Sequence, residues 1–357
     1  MTDYRKLIES HRVIICCGTG GVGKTTTSAA TAVAAAQAGK RAVVVTIDPA
    51  KRLADALGIA ALDNTPRLID GPWSGSLSAV MLDTKSTFDE VVRRHAHDEA
   101  QAERIIGNRF YRNVSGTLSG TQDYMAVEKL NELHDSGYYD LVVVDTPPTR
   151  DALAFLEAPK MLSRLLDNPI YRIITAPGRG PFKVINTAAQ QVLRQLARVV
   201  GATVVDEAVA FFQAFEGMEE GFRDRANATI ELLGDERTAF VLVASPRADT
   251  IDEARYFLRR LHRADLNASA VVVNRMLPQL STTPKRATEL AVSLAGSAAG
   301  GAAQALADLT ATSAGDDLRI AELQNAAPDA LTARVPMLHD DVHDIDGLAK
   351  IARLLTD

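Results

Sequence analysis

Cysteine is almost missing from these 357 residues: there are two, side by side at Cys16 and Cys17. That excludes a disulfide framework, and it excludes a zinc site held by a Cys-x-x-Cys pair. Neighbouring strand residues point to opposite faces, so the two thiols are poorly placed to bond with each other. Positive charge is not in excess. With 45 acidic against 39 basic side chains the net charge is -6, which gives no reason to expect nucleic acid or an anionic membrane as the main partner. No apolar run is long enough to span a bilayer. The opening stretch MTDYRKLIESHR is polar and charged, unlike a secretory leader. A cytoplasmic location is therefore expected, and the sequons at Asn113 and Asn227 are read as chance matches.

What is present is an alternation of short β-branched runs with long helical stretches, the pattern of a doubly wound α/β fold with a mostly parallel sheet. Strands are predicted near Val13–Cys17, Arg41–Thr46, Leu77–Leu82, Leu141–Asp145, Phe240–Ala244, Ala268–Val273 and Ala333–Val335. Several are unbroken apolar runs, as strands covered on both faces should be. Two helical segments look inserted, 87–135 and 151–235, the second broken by turn residues at 176–181. Together they predict a helical subdomain mounted on an α/β domain made of residues 1–150 and 236–357. Within 151–235, Ala208, Phe211, Phe212, Phe215, Met218 and Phe222 fall at helical spacing, and Phe182, Ile185, Ala189, Leu193, Leu196 and Val200 form a similar stripe. In the first stripe, Phe211, Phe212, Phe215, Met218 and Phe222 read either as the subdomain's own core or as the lining of a groove. The Ala-, Gly- and Ser-rich stretch 287–327 is expected to be a helix with a mobile flank.

The most informative segment is VIICCGTGGVGKTTT. It holds Gly18-x-x-x-x-Gly23-Lys24-Thr25 directly after a predicted strand and directly before a predicted helix. A glycine-rich turn with a coincidental Lys-Thr would share the spelling but not the flanking elements. Gly18, Thr19, Gly20, Gly21, Val22, Gly23, Lys24, Thr25 and Thr26 are thus expected to wrap a polyphosphate with backbone N–H groups at a helix N-terminus. Lys24 would reach the β- and γ-phosphates of ATP, and the Thr25 hydroxyl would ligand Mg²⁺. Asp145 closes the run Leu141-Val-Val-Val144 at the carboxyl edge of a buried strand, where ligands bind in such sheets. It is the candidate for the metal's outer shell, acting through water.

GGVGKTT, TIDPAKRLADALG and VDTPPTRDALAFL together resemble the arsenite-pump ATPase (ArsA) and tail-anchored-protein targeting ATPase family, over nearly the whole chain. The resemblance implies a dimeric ATPase. It implies that Asp55 positions the attacking water and that Asp48 belongs to a first switch. The second switch would be Asp145-Thr146-Pro147-Pro148-Thr149. Asn274, at a strand end, would read adenine, and Val335-Pro336-Met337-Leu338 would cover the base. VDTPPTRDALAFLEAP, SGTQDYMAVEKL and VPMLHDDVHDIDGL look most like the actinobacterial branch, whose members tend to occur as paired paralogues.

The sequence departs from that family at positions that act across the dimer. Thr19 stands where the family has a signature lysine, and Pro246-Arg247 stands where it has Pro-Glu. Arg150-Asp151-Ala152 replaces a Gly-His-Thr. The expected assembly is a dimer, with itself or with a paralogue that supplies the missing charge. A protein client or membrane partner is expected at the helical subdomain, as is slow hydrolysis by the chain alone. With Cys16 and Cys17 in a core strand, arsenite sensing is not expected.

Overall fold

The structure, a computed structural model, describes residues 3–48, 51–114, 121–147, 158, 167, 198, 201–278 and 280–357. The chain divides into two compact units. One comprises Met1–Met81, Ser136–Leu153 and Glu236–Asp357; the other comprises Leu82–Asp135 and Ala154–Asp235.

The first unit is built on an eight-stranded sheet: β1 Val13–Gly18, β2 Arg41–Thr46, β3 Arg67–Ile69, β4 Ser76–Met81, β5 Leu141–Asp145, β6 Thr238–Ala244, β7 Ala268–Met276 and β8 Leu331–Pro336, in the order β3-β4-β2-β5-β1-β6-β7-β8. All pairings are parallel except the β3–β4 edge. The predicted parallel α/β sheet is therefore found, with one strand more than expected. β3 is three residues long and exposes Leu68, too short to carry a periodic signal; short edge strands of this kind limit unwanted pairing.

β1 lies at the centre, and its partners matter for the site. Cys16 faces Asp145 on β5, and Thr46 at the end of β2 faces the same aspartate. The helix Lys24–Gln37 follows the loop after β1 and is almost entirely buried. Its inner face is alanine, serine and threonine, so the backbone lies close to the sheet. Side chains of this size leave no voids when packed to native density. Its Thr27, Ser28 and Thr31 hydroxyls return to backbone carbonyls four residues earlier, which satisfies them inside an apolar layer. Gly39, at φ 87°, ends the segment.

Residues 284–326 correct an expectation. In place of one helix with a mobile flank there are two, Pro284–Ser293 and Gly300–Ala326. They pack together through Ala287, Ala291, Ala303 and Ala307. Alanine at one-turn spacing gives little periodic contrast in sequence but allows close helix pairing.

The described part of the second unit is helical: Thr84–His95, Glu99–Ile106, Arg109–Val114, Thr121–Asp135, Ala202–Ala214 and Glu219–Gly234. Asp83 and Asp98 cap two of these by accepting from Ser86 N and Gln101 N at 2.6 and 2.7 Å. The aromatic stripe of residues 208–222 does not lie on one continuous helix, because Gly217 at φ 87° turns the chain between two. Phe211, Phe215, Met218 and Phe222 are nonetheless buried together. Phe211 lies 4.7 Å from Phe215 and 6.0 Å from Tyr111, centroid to centroid, and Phe215 lies 5.6 Å from Phe222. Among the described residues these side chains pack against each other as core. The companion stripe from Phe182 to Val200 and the turn at 176–181 lie outside the described residues. Among those described, no helix is long and apolar enough to cross a membrane.

Candidate active site

The loop between β1 and the helix Lys24–Gln37 has the backbone its sequence requires. Gly18 approaches β6 so closely that a Cβ there would stand 2.2 Å from the Val243 carbonyl oxygen. Gly23 sits at φ 91° immediately before the helix, a left-handed conformation that suits glycine. Lys24 is buried at the helix N-terminus, and its ammonium has no hydrogen bond or ion pair among the described residues. Such a placement suits an anion seated in the loop.

Asp145 is fully buried at the end of β5. Its Oδ2 accepts from Thr25 Oγ1 at 2.8 Å and from Thr46 Oγ1 at 3.0 Å, and Ser28 Oγ lies 3.5 Å from Oδ1. Burial pushes its pKa above the ordinary carboxylate range, and Asp48 pushes the same way. Lys24 and the two threonine hydroxyls oppose the rise. A carboxylate in this position gains from any further cation, and a hydroxyl 2.8 Å from a carboxylate is a hard-oxygen donor set of the kind Mg²⁺ takes beside substrate phosphates. The residues present therefore fit that metal. They do not fit zinc, since Cys16 and Cys17 are both buried free thiols.

Thr46 was not among the residues singled out from sequence. A signal was available: it is the polar residue ending the apolar run RAVVVT, in register with Asp145. Thr146 also went unremarked on its own; its hydroxyl donates to the Cys16 carbonyl at 2.9 Å, tying the start of the expected second switch to β1.

The other predicted residues are placed as follows. Asp48 is half-buried just past β2 and pairs with Arg52 at 3.0 Å. Asp55 is exposed on the short helix Arg52–Ala56. Pro49, Ala50, Pro148, Thr149 and Arg150-Asp151-Ala152 lie outside the described residues. Asn274 and Pro336 reach the same end of adjacent strands, Pro336 standing opposite Met276. Asn274 Nδ2 donates to the Val22 carbonyl at 2.9 Å, so the residue expected at the base also touches the phosphate loop. Thr19 turns its hydroxyl inward, where it is buried without a partner among the described residues. Arg247 is exposed and paired with Asp249 at 2.8 Å. So exposed a pair is weak, which leaves the guanidinium free to exchange partners.

Comparison with known proteins identifies the family. The sequence model of the anion-transporting ATPase family matches residues 11–290. The protein named ATPase GET3 of Kluyveromyces lactis is 26% identical over 289 residues, covering 77% of this chain and 75% of the relative. ATPase GET3 of Malassezia globosa is 25% identical over 271 residues, covering 75% and 74%. An uncharacterised protein of Streptomyces coelicolor is 30% identical over 269 residues, covering 75% of this chain and 63% of its own. A family match that runs from the first strand, through the phosphate loop and the helical segments, to the far side of the sheet spans well over half of the molecule. The chain belongs to the anion-transporting ATPase family and is an ATP hydrolase.

Proposed function

We propose that this chain is a Mg²⁺-dependent switch ATPase: ATP binding closes a dimer, hydrolysis opens it, and the two states differ in affinity for a protein partner. The observation that carries the reading is the convergence of Thr25 and Thr46 on the buried Asp145 near Lys24, which is buried with no partner among the described residues. In this reading the loop Gly18–Thr26 holds the triphosphate by its amides and Lys24 holds the β- and γ-oxygens. Thr25 would hold Mg²⁺, with Asp145 behind it through water, and the ion would supply charge neutralisation across the phosphates. Asp55 orients the water that attacks the γ-phosphorus as the bond to the β-γ bridging oxygen breaks, giving ADP, phosphate and a proton. Asp48, held by Arg52 at 3.0 Å, reports the γ-phosphate to the segment that carries Asp55. Asn274 and Pro336 bound the base.

The partner is proposed to be a protein engaged in one nucleotide state only. A groove for hydrophobic clients is less well supported, because Phe211, Phe215, Met218 and Phe222 are buried against each other. Energising an anion transporter is a second reading, favoured by the family's description, and it would use the same opening and closing. The chain's own site lacks the family's lysine at Thr19 and glutamate at Arg247, so a paralogue or Arg247 would complete the charge around the γ-phosphate.

Turnover measured for the isolated chain and for the chain mixed with its paralogue tests this. Slow hydrolysis alone and acceleration on mixing are expected, since a finger-type cation contributes about 10³–10⁵ in rate. Rapid hydrolysis by the isolated chain would remove the case for a complementing subunit. The native mass, with and without ATP, should show a nucleotide-dependent dimer.

A further inference from the structure

We infer that Asn274 is a positioning residue for the phosphate loop, acting through the carbonyl of Val22. The inference rests on reading that loop as the ATP site.

Asn274 stands where β7 loses its regular pairing with β8: the register shifts between Val273 and Met276, and Arg275 takes φ 60°. A left-handed arginine in a strand marks a bulge, and bulges re-aim the side chains beside them. The Asn274 amide makes two contacts on consecutive loop residues. Its nitrogen donates to the Val22 carbonyl at 2.9 Å. The same nitrogen fills the space over Gly23, where a Cβ would stand only 2.1 Å away.

A loop that binds phosphate does so by turning its N–H groups inward, which obliges its carbonyls to turn out. Val22 lies between Gly21 at φ 77° and Gly23 at φ 91°, so the peptide units on either side of it are the ones steric restriction holds least. The buried Val22 side chain anchors one side of this stretch, and Asn274 holds the carbonyl on the other. Release of that carbonyl would let its oxygen rotate toward the phosphates and repel them. The amide has a second N–H and an oxygen left over, enough to meet a base edge. One side chain therefore links the base end of the site to the order of the phosphate end.

Inorganic tripolyphosphate with Mg²⁺ has no base and separates the two roles. Asn274→Ala deletes the amide. Asn274→Asp keeps its shape but sets an oxygen against the Val22 carbonyl, and it carries the test should the alanine variant fail to fold. On the full chain, both variants should bind Mg²⁺-tripolyphosphate about 5- to 10-fold more weakly, the usual effect of one lost hydrogen bond. Both should also speed hydrogen exchange at the amides of residues 20–24 in ligand-free protein. Tripolyphosphate affinity or loop exchange left at the wild-type level would overturn the inference. Loss of ATP affinity alone would leave Asn274 a base reader only. A wild-type protein that took up neither ATP nor tripolyphosphate would overturn the nucleotide reading instead, while the exchange measurement still judged the tie to Val22.

Discussion

Thr25 and Asp145 are 120 residues apart in sequence and 2.8 Å apart in space, hydroxyl to carboxylate. Thr46 reaches the same carboxylate oxygen from the neighbouring strand at 3.0 Å. Two hydroxyls thus hold a buried acid whose burial disfavours its charged form. Stability is given up in the ligand-free protein for a charge placed in readiness.

That arrangement predicts a trade. Burial lifts the folded-state pKa of Asp145 above its unfolded value, so the folded chain binds more protons across that interval. The contribution of this group to stability is full below its unfolded value, near pH 4, and is lost as pH rises through the raised value. Asp145→Asn should flatten this dependence and melt a few degrees higher at neutral pH without nucleotide. It should weaken Mg²⁺-ATP at least about tenfold, since a hydrogen bond to a charged group is worth about 1.5–3 kcal/mol. Thermal scans between pH 4 and 8, with and without Mg²⁺-ATP, check both halves. A neutral-pH melting point below wild type would assign the carboxylate to structure.

Lys24 and Asp55 should separate binding from chemistry. Lys24→Ala is expected to reduce ATP affinity about 10- to 100-fold with the fold retained, because it removes a charged hydrogen bond. Asp55→Asn should leave affinity nearly unchanged and lower turnover by about 10² or more, the scale of a lost general base. Calorimetry and single-turnover hydrolysis give the two numbers. Wild-type turnover in the asparagine variant would assign water positioning elsewhere.

The aromatic cluster of the helical unit should behave as core. Phe215→Ala or Met218→Ala is expected to destabilise by about 2–5 kcal/mol, as large-to-small core substitutions do. Urea unfolding followed by tryptophan-independent circular dichroism measures it. Unchanged stability with weakened partner binding would instead make these side chains a docking surface.

Cys16 and Cys17 should be silent in the native state. Both are buried, and burial pushes the Cys16 thiol up to about 12, so almost no thiolate is present at neutral pH to react. A thiol-reactive chromophore should label neither in native protein and both in denaturant. Arsenite should not alter ATP turnover; stimulation by it would contradict the placement of these thiols.

Much of the fold was legible because its signals are strong ones. Strands such as LVVVD and TAFVLVA are continuous apolar runs, and the glycine spacing of the loop follows a strand and opens a helix. What escaped had weak or non-local signals. β3 is three residues with an exposed leucine, and the helix pair at 284–326 meets through alanines that give no hydrophobic contrast. The stripe across residues 208–222 kept helical spacing through a turn because Gly217 inserts a bend without shifting which residues face inward. In the site, Lys24, Thr25 and Asp145 could be named from local pattern. Thr46 offered only its place at the end of RAVVVT, since its role depends on strand register, and the contact between Asn274 and Val22 joins residues 252 apart.

The alanine-lined face of the helix Lys24–Gln37 governs how this protein can vary. Ala29, Ala32 and Ala36 are fully buried, so a single added methylene at any of them strains the packing of the helix whose first turn carries Lys24 and Thr25. Substitutions far from any ligand would therefore surface as impaired nucleotide uptake before they surface as unfolding. The inner surface of this helix is a part of the binding apparatus that never meets the nucleotide.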